Sequence, residues 1–504
     1  MPPTTPQASP SITGFPKTRT PTVAGTPSPT STPEKRLGLK DADLRGVVVR
    51  YWYTWSGAGD ATMKALVDEF NLSNQWKIVI VPVSQGSPDE MSNSMNAALA
   101  TDNTPDLVVG YLHQALTWQA RKPLVDLNDY VNDLDWGLSA EQQDDFYPAF
   151  WEQDLANGQR LGVPAWRTGQ MLFYNRTWAQ MLGYVLPPET PEQFRLQTCA
   201  AGRDNLRDAD AQNDGTGGWL IATNYAATLG WLYAYGGQVS LSPEPGIQAS
   251  PYQFSSGPSV QAFTFLRSLF DQGCAWLADT TYPDEAFAAR QALFLSASLL
   301  DIPYQAEAFR LAGKTDEWTV LPFPSPNGKA AFNAYGPSFE ILPSSPQRQL
   351  AAWVFVRWLL QAQNQARLIE ASGTFPLNAS TLAQLETYQR RNPQWAAAVQ
   401  SLPLAHSEPP YQSWSAVRWA LSDASTQLFR SYFTINQVPQ LLQYLDEVAA
   451  DLHIGADLEQ VFATLTETPT ATATDTRTPV PSQTPKPTRT PWPSATPAAT
   501  TPSP

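Results

Sequence analysis

VVVRYWYTWSGAGDATMKALVDEFNLSNQWKIVIVPVSQGSPDEMSNSMNAALATDNTPDLVVG, residues 47–110, switches repeatedly between strand and helix signals. VVVRYW (47–52), KIVIVPV (77–83) and DLVVG (106–110) are short apolar, β-branched runs of strand length. Between the first two, Met63, Leu66, Val67 and Phe70 recur at i, i+3, i+4, i+7, which puts them on one face of a helix. Asp60 is the expected cap of that helix. Met91, Met95, Ala98 and Leu99 mark the inner side of a second helix over 89–100. Strand, helix, strand, helix, strand in so few residues predicts an α/β fold built on a parallel sheet with right-handed crossovers.

Outward from this unit the chain changes character. Residues 1–38 and 468–504 hold 19 of the 46 prolines among Thr and Ser, with almost no aliphatic side chains. Such segments cannot bury enough apolar surface to offset the entropy of ordering, so both are expected to be disordered Thr/Pro-rich spacers. The part between them carries most of the 18 Trp, 18 Tyr and 21 Phe, too much chain for one compact core; two lobes are expected. Net charge is −14, and the tails are mildly basic, so the body is more acidic than the whole. No nucleic acid partner is therefore expected, since phosphate binding needs clustered Lys and Arg. No run of apolar residues is long enough to cross a membrane, and no basic-then-apolar leader is visible at the N-terminus. Cys199 and Cys274 form either a disulfide or two buried thiols.

Further along, RLGVPAWRTGQMLFYN (160–175), SASLLDIPYQ (296–305) and EWTVLPFPS (317–325) read as extended chain. AAFNAYGPSFEILP (330–343) reads as a strand pair, and QRQLAAWVFVRWLLQAQNQARLIEAS (347–372) as one helix with Trp353, Val356 and Leu360 on a stripe. In order, RYWYTWSGAGDATMKALVDEFNLSN, TDNTPDLVVGY, GQRLGVPAWRTGQMLFYNRTWAQMLGY and ILPSSPQRQLAAWVFVRWLLQAQNQARLIEASGTFPLNAS resemble blocks of the extracellular solute-binding proteins, family 1, of sugar ABC importers. The likeness runs over roughly 44–465 and implies a two-lobed, periplasmic-binding-protein-like fold with a hinge. One lobe would comprise 44–168 and 332–385, the other 170–331 and 386–465. It further implies a small-molecule carbohydrate caught between the lobes, membrane subunits of an ABC permease as partners, a monomer, no cofactor, and an extracytoplasmic place with a lipid anchor as one option. Related members take polyols or glycerol phosphodiesters.

A sugar presents hydroxyls at its edges and weakly apolar C–H faces, so its site needs rings to stack on and polar groups to meet the hydroxyls. Trp55 and Ser56 lie just past the first strand, and Tyr111 and Gln114 just past DLVVG, at the sheet edge where open α/β folds bind ligands. Trp166 and Arg167 sit at the expected lobe crossover; Arg167 either donates to paired hydroxyls or holds a structural ion pair. Tyr225 and Trp231 flank the cleft in the family, with Trp231 the better candidate for core. Tyr304 is placed at a strand end. Tyr335 and Gly336 lie in the second inter-lobe segment, where a small residue permits close backbone approach.

Asp210, Gln212, Asp214 and Gly215 imitate the start of a calcium loop, but the closing Glu is missing and a capped turn is the better reading. A glycoside-acting enzyme would need two carboxylates about 5–10 Å apart across a cleft. No pair stands out, and the three histidines have no metal spacing. Nucleophile-elbow, P-loop and dinucleotide motifs are also absent, so no enzyme is expected. A surface structural protein whose stalks matter more than its body is the remaining rival.

Overall fold

The computed structural model describes residues 35–241, 250–278 and 283–465. Most of the first spacer and all of the second lie outside the described residues. Residues 35–38, read as spacer, belong to the body. The backbone N–H groups of Arg36 and Leu37 donate to Asp133 Oδ2 at 2.7 and 3.1 Å, and the Arg36 guanidinium pairs with Asp129 at 2.8 Å.

The first sheet runs, in spatial order, Val79–Ser84, Val48–Tyr53, Leu107–Gly110, Ser338–Ile341, Val163–Pro164. Its first three strands are parallel, as the 47–110 pattern requires. The helix Gly57–Ser73 buries Met63, Leu66, Val67 and Phe70; it starts at Ser56, one turn before the expected Asp60. Asp60 instead accepts from the Tyr53 hydroxyl at 2.6 Å. The helix Pro88–Ala100 is fixed by a reciprocal Ser87–Glu90 capping box and buries Met91, Met95 and Ala98.

The second sheet runs Ala405–Ser407, Phe332–Tyr335, Thr168–Asn175, Phe294–Ser298, Trp219–Leu220, Ala275–Trp276, with Trp318–Leu321 also paired to Thr168–Asn175. The fold is thus α/β with two lobes. Phe332–Tyr335, which the sequence reading assigned to the first lobe, is antiparallel to Thr168–Asn175 and lies in the second sheet. The chain changes sheets immediately after it, at Gly336–Pro337.

Two other sequence expectations shift. The stretch 347–372 is two helices, Pro346–Leu359 and Ala362–Ser372. The side chains of Asn364 and Gln365 donate to the Trp358 and Leu359 carbonyls at 2.8 and 3.0 Å, replacing main-chain partners lost at the break. The stretch 296–305 is extended only to Ser298. Asp301 Oδ2 accepts from the Ser298 N–H at 2.9 Å and Pro303 sits in the first turn of the helix Ile302–Leu311, so the chain turns helical where it was read as strand.

Cys199, in the helix Pro191–Arg207, is disulfide-bonded to Cys274, which precedes the strand Ala275–Trp276; 75 residues separate them. The calcium-like loop is a turn: Asp208 accepts from the Asp210 N–H and from Asn213, and Asp210 from the Gln212 N–H. Asp214 is exposed, and no group of three or more metal-ligating side chains forms among the described residues.

The two sheet-to-sheet passages touch. Arg167, 0% exposed, ends the first. Its Nη1 donates to the carbonyls of Gly336 at 3.2 Å and Pro337 at 2.7 Å, in the second. Its Nη2 donates to Asp154 at 2.9 Å and Ser338 Oγ at 3.0 Å. Gly336 is required here because a β-carbon would collide with the Trp166 carbonyl.

Two outcomes are expected in urea unfolding. Arg167→Met costs about 3–5 kcal/mol because Asp154 is left buried without its cation, and adding Asp154→Leu recovers more than half. Paired Cys199→Ser and Cys274→Ser substitutions cost about 2–4 kcal/mol, the scale for opening a long loop.

Candidate functional site

Tyr111 caps the helix Leu112–Gln119 at the carboxyl end of Leu107–Gly110. Its ring stacks on His113 with centroids 5.6 Å apart and meets Trp166 edge-on at 6.4 Å. Gln153 lies on the same side. These groups come from the first lobe.

Opposite stands the start of the helix Trp414–Leu428, which approaches Leu112–Gln119 across the gap. Trp414 Nε1 donates to Glu408 Oε2 at 3.0 Å. Tyr225, the first residue of the helix Tyr225–Ala234, meets Trp414 and Trp419 edge-on at 6.0 and 5.9 Å. The Arg418 guanidinium lies 5.5 Å from the Tyr225 ring centre and 5.2 Å from that of Trp419. Asn333 and Tyr335 share one face of their strand. Tyr111, His113, Gln153, Glu408 and Trp414 line one narrow slot with walls from both lobes, closed in this structure to about the room of a single water.

Burial pushes the phenols of Tyr111, Tyr225 and Tyr335 above their ordinary range, with neighbouring phenols and Glu408 adding to it, so they remain O–H donors. Burial, then the charge of Arg418, holds His113 below its usual range and therefore neutral. Burial likewise raises Glu408.

Buried polar atoms in a native fold are nearly always partnered. Of the sixteen buried side-chain polar atoms without a partner among the described residues, six cluster around this slot: Gln153 Oε1, Trp166 Nε1, Asn333 Nδ2 and Oδ1, Glu408 Oε1 and Arg418 Nε. Asn333 lies close enough to Glu408 to lower its pKa, but not in bonding geometry. The set mixes donors and acceptors, as a hydroxyl-bearing guest would require.

Of the residues selected from sequence, Tyr111, Trp166, Tyr225 and Tyr335 come together here. The others do not. Trp55, 6% exposed, packs on Tyr53 and Phe339 at 6.0 and 6.1 Å as core. Ser56 is an exposed residue preceding its helix. Gln114 is a structural tie, accepting from the Tyr111 N–H at 2.8 Å and donating to Pro88 O and Ser92 Oγ at 2.9 and 2.6 Å. Arg167 and Gly336 join the crossovers. Trp231 is core, between Phe194 at 5.2 Å and Phe323 at 5.0 Å. Tyr304 lies within a helix rather than at a strand end. Sequence reading missed Asn333, Glu408, Trp414 and Arg418. The signal was SEPPYQSWSAVRW (407–419), where an acid, an indole and a guanidinium cluster after a proline pair at a helix start.

Residues 65–400 match the family model of the bacterial extracellular solute-binding proteins. The chain is 24% identical over 239 residues to the maltooligosaccharide ABC transporter solute-binding lipoprotein of Streptococcus pneumoniae; the match covers 46% of this chain and 52% of that protein, about half its length. The sugar-binding protein MalE of Xanthomonas citri superposes with a TM-score of 0.69 at 19% identity, covering 82% of this chain and 99% of that one. UgpB of Mycobacterium tuberculosis, solved in complex with glycerophosphocholine, superposes with a TM-score of 0.63 at 18% identity, covering 81% and 99%. At these identities the superpositions establish the shared two-lobed fold, while the family match extends over two thirds of the residues: this chain is a member of the bacterial extracellular solute-binding protein family.

Proposed function

We propose that this chain is the capture subunit of an ABC importer, and that it holds a carbohydrate in the slot between its lobes. The observation that carries this reading is the set of six partnerless buried polar atoms between aromatic rings. An unmet buried donor or acceptor costs about 1–3 kcal/mol. A polyhydroxylated guest supplies O–H groups that both donate and accept, and its C–H faces suit the rings of Tyr111, Tyr225 and Trp414.

The lobes in this reading are residues 44–167 with 338–385, and 168–335 with 386–465, joined through the passages that Arg167 ties together. They close as hinged bodies; periplasmic binding proteins are the standard example of that motion. The protein acts as a monomer outside the cytoplasm, lipid-anchored, handing its solute to the permease and performing no chemistry on it. No helix among the described residues is long and apolar enough to cross a membrane. A glycerol phosphodiester is the second reading, favoured by the Arg418 guanidinium, 5.5 Å from the Tyr225 ring centre and with its Nε buried and unpartnered.

A thermal-shift panel of glucose, maltose, maltotriose and glycerophosphocholine tests the proposal. A bound probe at a hundredfold excess over its Kd stabilises the fold by about 2.7 kcal/mol. The expectation is a shift with a saccharide, and Tyr225→Ala weakening that saccharide at least tenfold. Trp55→Ala, in contrast, should cost stability, about 3–5 kcal/mol for a buried indole, with affinity in the folded protein nearly unchanged. No shift with any probe, or selective loss of affinity in Trp55→Ala, contradicts this account.

A further inference from the structure

We propose that Glu408 sets the charge class of the solute: it keeps a neutral guest that donates an O–H to its free oxygen, and turns away one that brings a phosphate. The inference rests on the reading of the slot as the solute site and adds to it the residue that discriminates.

Glu408 is 8% exposed. One oxygen is occupied by the Trp414 indole N–H; the other, Oε1, is buried and has no partner. Beside it lies Asn333, 0% exposed, with both amide atoms equally unpartnered. An acceptor next to an amide's donor and acceptor suits a pair of adjacent hydroxyls, which can donate to the carboxylate and bond the amide together.

Charge completes the case. The charged and titratable groups facing Glu408 are Arg418 and the phenols of Tyr111, Tyr225 and Tyr233, with His113 on the same slot. His113 is held neutral, so Arg418 is the cation that balances an ionised Glu408. With both charged the slot is neutral overall. A phosphate would then meet a buried carboxylate of its own sign, a juxtaposition that costs affinity. A neutral polyol meets no such penalty.

The geometry also fixes the sign of a proton linkage. Burial alone raises the carboxyl of Glu408. A hydroxyl donating to Oε1 favours the ionised form, so capture of a neutral solute releases protons and weakens as pH falls. A solute that accepts from a protonated Glu408 would do the opposite.

Calorimetric titration of the full chain with maltose, maltotriose and glycerophosphocholine, between pH 5 and 8, tests this. Two buffers of different ionisation enthalpy report the protons exchanged, a readout that needs no variant. The expected result is saccharide binding with proton release and lower affinity at pH 5. In Glu408→Gln, saccharide affinity should fall at least tenfold and its pH dependence flatten, while glycerophosphocholine binding strengthens or first appears. Saccharide binding by the wild type with no proton release, or unchanged in Glu408→Gln, overturns the role of Glu408 and leaves the slot reading intact. Wild-type binding of glycerophosphocholine in preference to the saccharides overturns the charge selection. Binding of no probe removes the slot reading, and this proposal with it.

Discussion

A guanidinium with no exposed surface holds the two halves of this molecule in register. Arg167 sits where the first passage between sheets ends, and its donors reach the carbonyls of the second passage and the carboxylate of Asp154. Removing a cation from water is costly unless its hydrogen bonds are met. Here Phe150, Asp154, Trp166, Gly336, Pro337 and Ser338 all accept from Nη1 or Nη2, and only Nε is left without a partner. Each of those contacts fixes a piece of backbone at the junction. The lobes can then differ freely in loops and helices while the strands that bridge them stay close, and the walls of the slot are aimed at each other.

Those walls have a different economy. Elsewhere unpartnered buried atoms are scattered singly: Trp231 Nε1 in the core has no partner, whereas Trp353 Nε1 donates to Trp136 O at 2.8 Å and Trp219 Nε1 to Ser296 Oγ at 3.0 Å. In the slot, buried amide, indole, carboxylate and guanidinium atoms stand without partners. In the proposed reading, a hydroxyl-bearing guest that met these groups would recover part of the cost of leaving them unpartnered.

Much of the fold was legible because the 47–110 stretch alternates two unambiguous periods, even though its expected cap Asp60 lies inside the first helix. The site was only half legible. Tyr111, Trp166, Tyr225 and Tyr335 are found by asking which aromatics sit at strand ends and crossovers. Trp55 satisfies the same rule and Gln114 sits just past a strand end, yet one packs inward against Phe339 and the other folds back to tie two helix starts. Side-chain direction past a strand end depends on packing from distant segments, here residue 339 against residue 55, which no local pattern encodes. Glu408 and Arg418 were lost for the converse reason: a long helical stretch near the C-terminus reads as scaffold until the topology carries its first turn across to face Tyr111. The two strands of 330–343 read as one pair, whereas Phe332–Tyr335 joins the second sheet and Ser338–Ile341 the first, a partition set by pairing with distant strands.

Closure around a solute is the claim on which the assignment of the slot stands, and small-angle X-ray scattering measures it most directly. With a saccharide that stabilises the protein at saturation, the radius of gyration should fall relative to the solute-free chain, and Tyr225→Ala should need more saccharide to reach the same compact state. A radius that stays constant while the saccharide is demonstrably bound would place the solute outside the inter-lobe slot and contradict this account.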